Sequence, residues 1–120
     1  MATINTDIAQ KIDIIAREDN STTINLNITN DSGSTFDLTG YTVDFKIYHE
    51  SENILSLTNG SGILNPADSS STLDSSGKLV INITNTQMSI NPGTYKHKLI
   101  LTKGSSVQTW MYGKFKVNND

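Results

Sequence analysis

An all-β, antiparallel, immunoglobulin-like sandwich of about seven short strands is the fold this sequence predicts. Apolar residues recur at every second position in separate runs such as TTINLNIT, TVDFKIYH and KLVINIT. That is the period of a strand with one face buried. The runs are short, and clusters of Asn, Asp, Ser, Gly and Pro, the residues that make turns, divide them. No long stretch carries a convincing helical period.

The elements follow in order. KIDIIARED is the most ambiguous. Ile8, Ile12 and Ile15 fit helical spacing, whereas Ile12 and Ile14 fit a strand. The β-branched content favours a strand over residues 11–17, with a short amphipathic helix as the alternative. After the turn EDNS, Ile24, Leu26 and Ile28 alternate with Asn25 and Asn27 in a half-buried strand. NDSGST is a turn cluster, and Gly40 can take a positive φ before the next strand. There Val43, Phe45 and Ile47 point inward, and Asp44, Lys46 and Tyr48 outward. NILSL is a short strand. Residues 58–77 read as a loop with at most a brief extended piece at Ile63 and Leu64. Leu79, Ile81 and Ile83 face inward on the strand after it. A single helical turn at Asn85–Met88 and a Pro-Gly turn lead to a closing hairpin. It starts at Thr94, with Tyr95, His97, Leu99 and Leu101 on one face. Its partner strand runs over about residues 107–117, with a bulge or bend at Gly113. Tyr95, Leu99, Leu101, Phe115 and Val117 are core candidates. The expected division is an N-terminal arm over residues 1–10 and a sandwich over 11–118.

Composition narrows the function. A chain of 120 residues makes one domain. The net charge of −3 argues against duplex nucleic acid as a partner. Lys96, Lys98, Lys103, Lys114 and Lys116 cluster near the C-terminus, but alternation makes them the solvent face of two paired strands. The chain has no cysteine, which excludes a disulfide framework and a Cys-based zinc site and fits synthesis in a reducing cytoplasm. The first residues lack the apolar core of a secretory signal, and no segment approaches the ~20 apolar residues of a membrane span, so no membrane partner is expected.

Catalytic and metal chemistry find little support. His49 and His97, with Glu50 or Glu52, could hold a metal if their strands were neighbours, but His97 falls on an inward position where a core histidine is commoner. Asp68 and Asp74 flank SSSTL without the spacing of a calcium loop. There is no Gly-x-Ser-x-Gly elbow, and TNGSGI is too short for a phosphate loop. No enzyme and no cofactor is expected. Trp110 and Tyr112 alternate on the last strand, where they either fill the core or form a contact surface. With Tyr48 they are the interface candidates.

FDLTGYTVDFKIYH, LTNGSGI and GKLVINITNTQMSINPGTYKHKLILTKGSSVQTWMYGKFKV together resemble a β-sandwich module of tailed bacteriophages. It is the N-terminal domain of upper baseplate proteins and of related short tail and head accessory proteins. The resemblance spans roughly residues 11–117. It implies a virion component, made in the host cytoplasm, that assembles with other virion structural proteins and with copies of itself. It carries over no catalytic residue. Upper baseplate proteins continue into a long C-terminal region that bears the receptor-binding proteins. A chain ending at Asp120 would then be a stand-alone component. The rival reading is a carbohydrate-binding or host-adhesion module that holds a surface glycan on an exposed Trp110–Tyr112 pair.

Overall fold

The computed structural model describes residues 2–5, 10–29, 34–66, 70 and 72–119. Among them are ten strands and no helix: β1 (Ala2–Asn5), β2 (Gln10–Lys11), β3 (Ile14–Arg17), β4 (Thr22–Thr29), β5 (Thr42–His49), β6 (Glu52–Asn59), β7 (Gly62–Leu64), β8 (Lys78–Ile83), β9 (Gly93–Lys103) and β10 (Ser106–Asn118). The all-β expectation holds. The count exceeds seven because the N-terminal segment contributes three short pieces and β7 is a strand of its own.

Hydrogen bonding follows one path, β1-β4-β8-β7-β6-β5-β9-β10-β2, with β3 also beside β10. The long central pairs are antiparallel. The N-terminal pieces pair in parallel, β1 with β4 and β2 and β3 with β10. The path curls round a single core, so that the β1 and β10 backbones at its two ends approach each other. The N-terminal segment therefore lies along both edges. Of the N-terminal arm expected over residues 1–10, Ala2–Asn5 pairs with the chain's own β4 and Gln10 belongs to β2. Residues 6–9 lie outside the described residues.

The alternating runs fold as their pattern requires. Leu26 and Ile28 of β4, Val43, Phe45 and Ile47 of β5, Leu79, Ile81 and Ile83 of β8, and Leu99 and Leu101 of β9 are buried together with Phe115 and Val117 of β10. Tyr95 packs against this core while partly exposed.

The stretch after β5 departs from the expected loop. β6 reaches Asn59, and the chain turns a tight corner into β7. NGSG fits that corner because Gly60 and Gly62 have φ of 81° and 97°, and a Cβ on Gly62 would strike Leu57. The Asn59 side chain ties the corner to the start of β5: Oδ1 accepts from Val43 N at 2.7 Å and Nδ2 donates to Tyr41 O at 3.1 Å. The brief extended piece expected at Ile63 and Leu64 is β7. Beyond it, Asn65 Nδ2 donates to Thr72 O and Asp74 Oδ2, and Leu73 is buried. NDSGST lies mostly outside the described residues.

The turn expected at Asn85–Met88 forms one helical loop of backbone, with Met88 N donating to Thr84 O at 2.9 Å. Thr84 and Gln87 exchange side-chain-to-backbone bonds of 3.0 and 3.1 Å, a capping box around a turn that goes no further. It plugs Met88 into the core.

Candidate assembly interface

The β9–β10 hairpin carries the register feature on which the interface candidates depend. Residues 106–109 pair regularly with 100–103 until the ladder shifts between Thr109 and Met111. The bulge is therefore at Trp110, not at Gly113, which stays in register opposite His97. An extra residue in one strand turns two successive side chains to the same side. Trp110 and Met111 are accordingly both buried.

Trp110 is 1% exposed. Its ring meets Phe36 edge-on at 4.7 Å and Tyr41 at 5.9 Å, and Nε1 donates to Gln108 Oε1 at 3.0 Å. The expectation that Trp110 forms a contact surface is corrected: the bulge sends it into the core, where its N–H is satisfied by Gln108. The exposed Trp110–Tyr112 pair imagined for a glycan does not form.

Tyr112 remains outside, 44% exposed, and Tyr48 is half-buried on the outer face of β5. The structure brings these two onto one surface. Tyr48 is opposite Lys96 and Tyr112 opposite Lys98, so they flank β9 from either side. The Lys98 ammonium lies 5.3 Å from the centroid of the Tyr48 ring, a cation–π distance. Lys46, Lys96, Lys98, Lys114 and Lys11 line shallow hollows around Tyr48 and Tyr112. Sequence reasoning found the outward lysines of the hairpin. It could not join them to Lys11 and Lys46, because that needs the pairing of β5 and β2 on either side of the hairpin.

Gly113 answers to a different demand. A Cβ there would collide with the Ile12 carbonyl, since the β2–β3 segment crosses β10 at this point. The Ile12 carbonyl also accepts a hydrogen bond from His97 Nε2 at 2.6 Å. Ile12 N donates to Tyr112 O, and Asp13 Oδ1 accepts from Lys114 N at 3.0 Å. That backbone N–H, helped by the Lys11 and Lys114 charges, holds the Asp13 carboxyl below its usual value. The break between β2 and β3 is thus a second bulge-like feature, pinned by three residues of the hairpin.

The titratable candidates are dispersed. His97 is enclosed by Phe45 and Phe115, and burial pushes its pKa below the ordinary histidine value. His49 stands at the exposed end of β5 against the Tyr95 ring. Among the described residues, no three His, Cys, Asp or Glu side chains converge as a metal site. Asp68 lies outside the described residues. Asp74 closes its own loop through Ser76 and Asn65, whose bonds lower its pKa, Ser76 having the larger effect.

Comparison with known proteins agrees with this architecture. No curated protein sequence matches the chain. Among solved structures, the N-terminal domain of phage TP901-1 ORF48 has the same fold. The TM-score is 0.55 at 13% identity, over 97% of this chain and 94% of that one. The model of the BppU N-terminal domain, the N-terminal domain of the phage baseplate upper protein, matches residues 2–120. That match takes in β1 as well as the strands around the core, and the chain belongs to the BppU N-terminal domain family.

Proposed function

We propose that this protein is a non-catalytic structural component of the bacteriophage tail, placed at the baseplate, and that it acts through contacts with other virion proteins and with copies of itself. Membership of the baseplate upper protein family over residues 2–120 is the observation that carries this reading. The geometry is compatible with it. The chain puts its hydrophobic side chains into one closed core, and its polar chemistry is spent on pinning loops and edges. The remaining asset is an outward sheet face with two tyrosines, a residue type favoured at protein interfaces. Synthesis takes place in the host cytoplasm and residence is in the virion.

Peptide mass spectrometry on purified phage particles, separated into heads and tails, tests the reading. The expected result is this chain in the tail fraction at several copies per tail. Its absence from particles, or its recovery with heads, overturns it.

A further inference from the structure

The outer face of β5, β9 and β10 has an unusual charge arrangement. It gathers Lys46, Lys96, Lys98, Lys114 and Lys116, with Lys11 of β2 beside Tyr112. These are six of the nine basic residues in the chain; of the twelve acidic residues, Asp44 stands in the same rows, Glu50 lines the hollows beside Tyr48 and Asp13 lies near Lys11 and Lys114. The rest of the chain is left with three basic residues against nine acidic ones. An acidic protein thus carries one cationic face.

The lysines oppose one another. Lys46 lies across from Lys98, and Lys96 across from Lys114. Like charges directly opposed on one face of a sheet destabilise it. Asp13, near Lys11 and Lys114, offsets the cluster only at its edge. Lysines often guard exposed sheet edges against aggregation. That does not explain these, because β5 and β9 are interior strands and β2 and β3 cover the far side of β10. The domain tolerates a repulsive cluster in the middle of this sheet face.

We propose that this lysine–tyrosine face is a docking surface for an acidic protein surface on a different subunit of the particle, which neutralises the cluster and packs on Tyr48 and Tyr112. The proposal rests on the assembly reading above. Charge complementarity selects the partner. The hollows around the two tyrosines adjoin, with Tyr48 as a common wall, and the net charge of −3 on the chain argues for a protein over a nucleic acid.

The test uses the isotope-labelled full chain titrated with poly-L-glutamate at low salt, read by amide chemical shifts. Shifts confined to β5, β9, β10 and Lys11 are expected, and they should fade as salt is added. Lys98→Glu should bind about tenfold more weakly while its thermal midpoint stays level or rises, since it replaces a repulsive pair with an attractive one. No shift on this face, or a lower midpoint for Lys98→Glu, overturns the proposal. Tighter binding of oligothymidylate than of polyglutamate would make the face a phosphodiester site. Salt-sensitive self-association through the same residues without added polymer would make the partner a second copy. Either result overturns it too. Failure with polyglutamate alongside recovery of the chain in tails would sink this surface and leave the assembly reading intact.

Discussion

His97 Nε2 lies 2.6 Å from the carbonyl oxygen of Ile12, 85 residues earlier in the chain. A carbonyl only accepts, so Nε2 carries the proton, and the buried Nδ1 has no partner among the described residues. The ring is neutral in the folded state. One hydrogen bond inside the core thus ties the N-terminal segment to the closing hairpin.

A pH dependence follows. Burial lowers the folded-state pKa of His97 below 6.5. Below that value the unfolded chain takes up a proton that the folded chain resists, so stability is full above about pH 6.5 and declines as pH falls toward the folded pKa. Asp13, Asp37 and Asp74, each lowered from 3.8, add a further loss at more acidic pH. Thermal midpoints should fall from pH 7 to pH 5. In His97→Leu that segment of the profile should flatten, with about 1–3 kcal/mol lost at neutral pH because the Ile12 carbonyl is left unpaired. A midpoint that rises on acidification would show the ring to be charged when folded.

Gly113→Ala should be far more costly than Gly104→Ala. Gly104 has φ 59° and open space around it, so alanine there meets only the left-handed backbone penalty of about 1–2 kcal/mol. At Gly113 the methyl would displace the Ile12 carbonyl, which predicts a loss of roughly 2–4 kcal/mol. Hydrogen exchange should show the damage concentrated in β2 and β3. Equal costs at the two glycines would contradict the crossing.

The bulge is tested by the two aromatics of β10. Trp110→Ala should destabilise by about 3–5 kcal/mol, as for other buried large aromatics. Tyr112→Ala, at an exposed position, should change stability by no more than about 0.5 kcal/mol. Tryptophan emission of the native protein should be blue-shifted and move red on unfolding. Solvent-exposed emission in the native state would return Trp110 to the surface.

The β6–β7 corner depends on Asn59. Asn59→Ala removes both of its bonds and leaves the Val43 N–H unsatisfied, predicting a loss of about 1–3 kcal/mol in urea unfolding. Asn53→Ala loses only an exposed bond to Ser56 and serves as the control.

Much of the fold was legible because the central strands have one face in the core and one outside. Ile24 to Ile28, Val43 to Ile47, Leu79 to Ile83 and Tyr95 to Leu101 write that alternation into the chain, and register follows from it. The N-terminal pieces were not legible. Their parallel pairing joins residues 24 or 101 positions apart, as in Ala2 with Leu26 and Phe115 with Ile14, and no local pattern reports that. The side taken by Trp110 stayed open for a related reason. A bulge shifts the phase of everything around it, and Gly113 advertised an irregularity that in fact makes room for Ile12. Tyr48 and Tyr112 could be singled out one by one, but their common face with six lysines exists only once β5, β9 and β10 are paired.

The central claim is that this domain is a repeated building block of the phage baseplate. The most direct measurement is a cryo-EM reconstruction of purified tails. The account predicts density for this closed sandwich in symmetry-related copies at the baseplate, with the Tyr48–Tyr112 face against a neighbouring subunit. A baseplate in which every density is filled by other chains, leaving no place for this fold, would contradict it.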